Sequence, residues 1–327
     1  MEKRVSKVLS DQLELPIIAA PMFLVSSPQM VIESCKSGII GSFPLLNART
    51  SEILEEWMKE ICHELSVAKL NEANHKVGPW AVNLIVHSSN KRYREDLELV
   101  KKYQPPIVIT SLGDPSLVTD VVHGYGGLVF SDVIDLKYAR KAVQKGVDGL
   151  ILVCSGAGGH SGVINQNAFI SSVREFWDGI IVLAGSISNG NDILAAEVLG
   201  ADLVYMGTRF IAATESLAGA DYKEMLVDST FEDIIYTDVF SGVKANYLIP
   251  SIKKAGIDPD QLPDRKSIDF SEMNKSKVKA WKNIWSAGHG VTTIKNVQPI
   301  AEIIAELKQS YSESLDSLLK TKGHSTF

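Results

Sequence analysis

The sequence predicts an α/β protein in which eight strands alternate with helices and close into a (β/α)8 barrel, or TIM barrel, with a helical second domain after the last strand. Three observations lead to this fold class. Short apolar runs recur eight times up to Phe210, segments with helical spacing lie between them, and the alternation then stops. Alternating strands and helices favour parallel strands with helical crossovers, and eight such units fit a closed barrel better than an open doubly wound sheet.

The predicted strands share apolar runs without helical periodicity, which is typical of strands that are buried on both faces. They cover residues 16–22, 38–43, 80–86, 107–113, 127–133, 149–155, 180–186 and 203–210. Helical spacing predicts crossovers at 29–37, 51–68, 93–103, 115–122, 136–145, 167–176 and 192–199. Before two of the strands, a glycine ends the helix and an acid fills the turn, so Asp148 and Asp202 are expected to be structural.

The residues after the last strand are expected to form a second domain on the barrel. No further buried strand is recognisable between 214 and 290, so these residues predict a mostly helical lid or substrate domain over the barrel of residues 1–213. Apolar residues recur at helical spacing between Ile300 and Leu318. This spacing predicts that residues 291–327 pack back on the barrel through a C-terminal helix.

Composition narrows the class of protein. The chain has 327 residues, of which 45% are hydrophobic and 22% charged, and these values are ordinary for a globular protein. Its net charge of −6 argues against nucleic acid as a partner. The charged start of the chain is unlike a signal peptide, and no apolar run reaches membrane-spanning length. Three widely spaced cysteines predict reduced thiols in a cytoplasmic protein without a metal site.

The strand 149–155 leads into a glycine-rich turn that contains His160. Glycines let the backbone approach a flat or anionic ligand closely. His160 is the one side chain in this turn that can exchange a proton near neutral pH, so it is the candidate catalytic residue. Two other motifs fail here, because the dinucleotide fingerprint needs a glycine where Ser161 stands and the nucleophile elbow needs one where Val163 stands.

Glycines and small polar residues also follow the last two predicted strands. The segments LAGSISNG (183–190) and MGTRF (206–210) each lead from a strand into a helix. In barrels of this class, the loops after the seventh and eighth strands are the usual phosphate site, because backbone N–H groups converge there. We therefore expect a phosphate-bearing ligand at this end of the barrel.

The order and spacing of these motifs resemble the nitronate monooxygenase family, formerly called 2-nitropropane dioxygenases, over nearly the whole chain. The motifs are APM (20–22), AVNL (81–84), GAGGHSG (156–162), LAGSISNG (183–190), MGTRFIAATES (206–216) and NIWSAGHG (283–290). The resemblance implies an FMN-dependent TIM-barrel oxidoreductase, with His160 as the catalytic residue and no metal. The FMN-binding residues that it implies are Ala20, Pro21, Met22, Asn83, Gly158, Gly159, Gly185, Ser186, Tyr205, Met206, Gly207 and Thr208. Candidates on the substrate side are Ser161, Ser286 and His289.

The expected reaction is the FMN-dependent oxidation of alkyl nitronates, or of nitroalkanes, with O2 to a carbonyl compound and nitrite. His160 would act as a base or as an electrostatic group. Three relatives on the same scaffold stay open: an NAD(P)H-dependent quinone reductase, an enoyl-thioester reductase and a tailoring flavoenzyme with another substrate. A non-redox barrel that binds a sugar phosphate is the alternative from another class. The expected partners are a small-molecule substrate and O2, with a homodimer as the candidate assembly and neither nucleic acid nor membrane.

Several positions depart from the family pattern. Val153 and Gly156 stand where members that oxidise nitronates often carry Gln and Glu, and Ser186 stands where many carry a second glycine. Asp132 follows the fifth strand, where some relatives have a lysine near the flavin. A carboxylate does not stabilise an anionic reduced flavin as a lysine does.

Overall fold

Eight parallel strands form the barrel in a computed structural model that describes residues 7–71, 76–262 and 283–322. The barrel strands are β1 (Ile17–Ala19), β2 (Gly41–Pro44), β3 (Trp80–Ile85), β4 (Ile107–Ser111), β5 (Leu128–Val133), β6 (Gly149–Val153), β8 (Ile180–Ala184) and β9 (Leu203–Met206). A second sheet contains β7 (Gly159–His160), β10 (Ile234–Thr237) and β11 (Ala245–Leu248). The helices are α1 (Lys7–Ser10), α2 (Pro28–Lys36), α3 (Ser51–Asn71), α4 (Tyr93–Tyr103), α5 (Ser116–His123), α6 (Leu136–Gln144), α7 (Gln166–Arg174), α8 (Gly190–Leu199), α9 (Thr208–Ile211), α10 (Ala220–Asp228), α11 (Ile249–Lys254) and α12 (Ile300–Lys322). Short 3-10 helices cover Leu45–Asn47, Phe231–Asp233, Pro259–Gln261 and His289–Thr293.

The barrel strands follow the order β1-β9-β8-β6-β5-β4-β3-β2. The two ends of this series meet, because the Ala19 N–H donates to the Ile40 carbonyl and the Ile40 N–H donates to the Ile17 carbonyl. The parallel register continues around the barrel, with Ile17 opposite Val204. The predicted (β/α)8 barrel is therefore confirmed.

Alternation along the strands separates two apolar layers, since successive side chains of a strand point to opposite faces. Ile18, Ile40 and Phe130 belong to the cluster that fills the barrel, whereas Ile17 and Val204 pack in the larger cluster between strands and helices. Gly149 makes room inside the barrel, because a Cβ there would lie 2.6 Å from Cδ1 of Phe130. Leu9 of α1 and Leu13, which follows this helix, belong to the same inner cluster.

The region after β9 contains strands as well as helices, which differs from the expected mostly helical domain. Strands β10 and β11 form a three-stranded antiparallel sheet with β7, in the order β10-β11-β7. These strands are four residues long and β10 is half-buried, so neither produces an apolar run long enough to be recognised in the sequence. Residues 263–282, which include Trp281, lie outside the described residues.

The long helix α12 packs against α8 and α2 on the outside of the barrel. Its buried stripe includes Ile300, Ile303 and Leu307, which were expected to face the barrel. Gly190 allows the close approach, because a Cβ at that position would overlap the backbone of Tyr311.

The three cysteines are free thiols, and burial raises the pKa of Cys35 and Cys154 to about 12. Within the ranges that the structure covers, no helix combines the length and the apolar character needed to cross a bilayer.

Candidate active site

The loop after β1 lies against the end of β9. The Ala20 N–H donates to the Met206 carbonyl at 2.9 Å, and a Cβ on Gly207 would lie 3.4 Å from the Met22 sulfur. Asn47 fixes this loop, because its Nδ2 donates to the carbonyls of Met22 and Ser26 at 3.0 and 2.8 Å. The structure therefore brings together Ala20, Met22 and Gly207, and it adds Asn47 as a supporting residue that the sequence did not reveal.

The ends of β8 and β9 form a cradle of backbone N–H groups. Gly185 has φ +113°, and a Cβ there would lie 2.8 Å from the Ser155 carbonyl oxygen. Ser186, next to it, is exposed and has φ +53°. Within the described ranges, the N–H groups of Ser186, Gly207 and Thr208 donate to no protein acceptor. Unpaired N–H groups on two adjacent strand ends suit a phosphate.

The N-terminus of α8 follows the cradle, and a capping box satisfies part of its backbone N–H groups. The Asn189 side chain accepts from the Asp192 N–H at 3.0 Å, and the Asp192 carboxylate accepts from the N–H groups of Ser188 and Asn189. This capping box occupies the N–H groups of Ser188, Asn189 and Asp192, whereas the N–H groups of Gly190 and Asn191, the first two of the helix, have no acceptor among the described residues. An anion site at this edge can therefore use the two strand ends and the first two N–H groups of α8.

The glycine-rich turn with His160 is attached to the second domain by β-sheet pairing. Gly159 lies opposite Asn246 and His160 opposite Ala245. The Asn246 Nδ2 donates to the Ala157 carbonyl at 2.6 Å and to the Ser161 hydroxyl at 3.2 Å. Strand β11 therefore fixes the backbone on both sides of His160.

The imidazole of His160 has the properties of a neutral base. Its Nε2 lies 3.3 Å from the Ser241 hydroxyl, and the side chain keeps contact with solvent. The surrounding protein removes part of its hydration, which lowers the pKa of His160 from the ordinary value of histidine. The neutral form therefore predominates at pH 7.

A turn formed by residues 286–290, which we call the roof turn, packs directly on the cradle. The Gly288 N–H donates to the Thr208 hydroxyl and the His289 N–H donates to the Gly156 carbonyl, both at 2.9 Å. A Cβ on Gly158 would lie 2.9 Å from the Gly288 nitrogen, so only glycine allows this approach. The roof turn thus joins the histidine turn to the phosphate cradle.

The three substrate-side candidates differ in environment. Ser161 is buried and bonded to Asn246, whereas the His289 side chain is exposed. Ser286 is buried, and its hydroxyl has no partner among the described residues. Gly156 lies beside His289, because a Cβ on it would be 3.0 Å from the imidazole Nδ1 and would overlap the Ser186 hydroxyl. These two side chains occupy the space that a side chain at position 156 would need.

A chain of polar side chains crosses the ends of three neighbouring strands, β3, β4 and β5. The Asn83 Nδ2 donates to the Ser111 hydroxyl at 2.7 Å, and that hydroxyl donates to Oδ2 of Asp132 at 2.5 Å. Burial raises the pKa of Asp132 to about 6, against the opposing effect of the Ser111 hydrogen bond. Tyr205 is close enough that burial and the charge of Asp132 both raise its pKa.

Apolar side chains lie exposed in the loops that follow the barrel strands. Phe23 follows β1, Leu112 follows β4 and Ile134 follows β5, and their exposed fractions are 42%, 60% and 46%. Leu112 has φ +61°, an uncommon conformation for a residue with a side chain. These residues give the mouth of the barrel an apolar rim that suits a substrate with an apolar part.

The chain is similar to known proteins in sequence and in fold. A family model described as nitronate monooxygenase matches residues 6–310. A protein from Paraburkholderia phytofirmans named nitronate monooxygenase is 25% identical over 347 aligned residues, which cover 94% of each chain. The solved structure of FabK from Thermotoga maritima is similar with a TM-score of 0.80 and 22% identity, covering 98% of this chain and 99% of that one. A nitroalkane oxidase from Streptomyces ansochromogenes gives a TM-score of 0.77 at 22% identity, with 95% and 100% covered.

Proposed function

The chain belongs to the nitronate monooxygenase family and is a flavin-dependent oxidoreductase, and on that premise we propose that it uses FMN and O2 to oxidise alkyl nitronates, with nitroalkanes as a second substrate class. The products are a carbonyl compound and nitrite. The observation that carries the proposal is the roof turn, because it holds the His160 turn against the cradle of free N–H groups. A base and an anion site are thereby fixed on the same barrel mouth.

The residues present fit FMN. The N–H groups of Ser186, Gly207 and Thr208 would hold the phosphate, because they have no protein acceptor among the described residues. The segment 20–22 and Asn83, together with Gly158, Gly159, Gly185, Tyr205 and Met206, would hold the rest of the molecule. When bound, FMN supplies the redox chemistry, accepting electrons from the substrate and passing them to O2.

His160 carries the proton chemistry in this proposal. For a neutral nitroalkane, the neutral imidazole would accept the α-proton; for a nitronate, which has already lost that proton, it would orient the anion. The sheet pairing to β11 and the Asn246 hydrogen bonds prevent the turn from moving away during this step. Ser161, Ser286 and His289 remain candidates for contacts with the substrate.

An NAD(P)H-dependent reductase of quinones or enoyl thioesters is the second candidate function. It is favoured by one observation at Gly156, where members that oxidise nitronates often carry a glutamate. Here the Ser186 hydroxyl and the His289 ring fill that space, so the surroundings of the base differ from those in such members. NAD(P)H would then be the electron donor.

A variant pair tests the role of His160. His160→Ala should keep FMN, visible as a flavin spectrum, while turnover of an alkyl nitronate falls by about 10²-fold or more. Ser241→Ala is the matched control, because it removes the hydroxyl beside Nε2 and leaves the imidazole in place. Full activity of His160→Ala would show that another residue performs the proton chemistry.

A further inference from the structure

The chain of Asn83, Ser111 and Asp132 has a defined direction. Asn83 is the donor to Ser111, so the Ser111 hydroxyl proton is committed to Oδ2 of Asp132. The other carboxyl oxygen, Oδ1, is shielded from solvent and has no hydrogen-bond partner among the described residues. Leaving this buried oxygen ionised and without a hydrogen bond costs free energy. When it carries a proton, it can donate a hydrogen bond.

Among the residues that the structure describes, Asp132 has no cationic partner. None of the ion pairs that the structure gives within its described residues includes this carboxyl. Ser131, which precedes Asp132 on β5, shares a hydrogen bond of 2.5 Å with the Thr110 hydroxyl of β4, and the apolar Ile151 of β6 lies opposite Asp132. Tyr205 is the titratable group that senses its charge. The carboxyl thus sits on the floor of the proposed flavin site with a single hydrogen-bond donor.

We propose that Asp132 is a proton-binding residue in the floor of the flavin site, which takes up a proton when the flavin is reduced and releases it when the flavin is oxidised. This inference rests on the proposed flavin site. Reduction adds two electrons, supplied by the reductant, and leaves negative charge on the cofactor beside the carboxyl. The carboxylate takes up a proton from solvent and forms an O–H bond. Its negative charge and that of the reduced cofactor therefore do not coexist.

The sign of the effect follows from the charge of the carboxyl. At pH values where Asp132 is ionised with the oxidised flavin, its charge opposes reduction and lowers the midpoint potential. At more acid pH the carboxyl is neutral and has no such effect. Because the pKa of Asp132 is raised to about 6, the change between these two regimes falls within the pH range in which flavoproteins are handled.

Asp132→Asn is the direct test, with Asp135→Asn as the matched control. Asp135 caps α6 through the Tyr138 N–H, and asparagine keeps that cap while removing the same charge three residues away. The midpoint potential of FMN in each protein is measured from pH 5 to 9 by anaerobic dithionite titration with a reference dye. Neither nitronate nor NAD(P)H is used.

Above about pH 6, we expect the reduction equilibrium of Asp132→Asn to exceed that of the unsubstituted protein by tenfold or more, which is about 30 mV for a two-electron couple. The two curves should converge at acid pH, and Asp135→Asn should follow the unsubstituted protein. Curves that run parallel over the whole range would overturn the inference. A protein that binds no FMN would overturn both this inference and the proposed function, whereas a pH-dependent gap in a protein inert to nitronates would leave this inference standing.

Ser111→Ala provides a second readout in case Asp132→Asn does not fold. It keeps the carboxyl and removes the hydrogen bond that lowers its pKa, so the break in the potential curve should move to higher pH. Carbon-13 NMR of labelled aspartate carboxyls in the flavin-free protein gives the same information without redox chemistry. A signal with an elevated midpoint that moves upward in Ser111→Ala supports the assignment, and an unchanged midpoint contradicts it.

Discussion

Substitution of Gly185 by alanine tests the phosphate cradle more specifically than any polar change. At φ +113° an alanine incurs backbone strain of about 1–2 kcal/mol. Its Cβ would also lie 2.8 Å from the Ser155 carbonyl oxygen, and relief of such overpacking costs about 1–3 kcal/mol. The sum is a loss of about 2–5 kcal/mol in the free energy of unfolding, accompanied by displacement of the neighbouring Ser186 N–H.

Gly200→Ala is the matched control for this substitution. Gly200 has a similar φ of +101°, but the atom nearest to its Cβ would be Cγ2 of Ile170 at 3.9 Å. It lies at the end of α8, away from the cradle, and should lose only the strain of about 1–2 kcal/mol. The difference between the two variants therefore isolates the clash and the effect on the site.

The assay combines thermal unfolding of the flavin-free proteins with FMN titration. A displaced hydrogen bond to a charged phosphate is worth about 1.5–3 kcal/mol, so Gly185→Ala should bind FMN roughly 10-fold to 100-fold more weakly. Gly200→Ala should bind FMN as the unsubstituted protein does. Unchanged FMN affinity in Gly185→Ala would refute the placement of the phosphate beside Gly185.

Three further predictions concern the histidine turn and the thiols. Because partial burial lowers the pKa of His160, activity with a neutral nitroalkane should rise with pH around a midpoint below the ordinary histidine pKa of about 6.5; a midpoint above that value in the profile of kcat/KM would contradict a neutral base. The free energy of unfolding should also rise with pH. Because the unfolded chain binds the His160 proton more strongly than the folded chain does, stability is lost as the pH falls below about 6.5. Asn246→Ala should lower the free energy of unfolding by about 1–3 kcal/mol and reduce turnover, because it leaves the half-buried Ala157 carbonyl without this donor; equal turnover would show that the turn does not need this support. Iodoacetamide at pH 8 should leave Cys35 and Cys154 unmodified in the folded protein, as their pKa of about 12 keeps them protonated, and mass spectrometry of rapid modification at either thiol would contradict their burial.

The barrel was predictable because each of its eight strands is buried on both faces and therefore appears as an apolar run. The sheet of the second domain was not predictable in this way. Strand β10 is half-buried and four residues long, and β7 has two residues, so neither carries a periodic pattern. The pairing of β7 with β11 also joins segments more than 80 residues apart, as for His160 and Ala245.

The site was predictable where glycine or histidine is required by local chemistry. Gly185 and Gly158 are needed for a positive φ and for a close backbone approach, and both requirements leave a mark in the sequence. Asn246 and Asn47 act on carbonyl groups that are distant along the chain, so no local motif in the sequence identifies them. The capping box of α8 also leaves a mark in the sequence, since Asn189 and Asp192 have the required spacing.

One measurement tests the central claim most directly: the absorbance spectrum of the purified protein, followed by anaerobic mixing with ethyl or propyl nitronate and, separately, with NADH and NADPH. The proposed function predicts a flavin spectrum that is bleached by the nitronate and not by the nicotinamides, with nitrite released when O2 is readmitted. Bleaching by a nicotinamide alone would contradict nitronate oxidation and support a reductase, and the absence of a flavin spectrum after incubation with FMN would contradict the proposed cofactor.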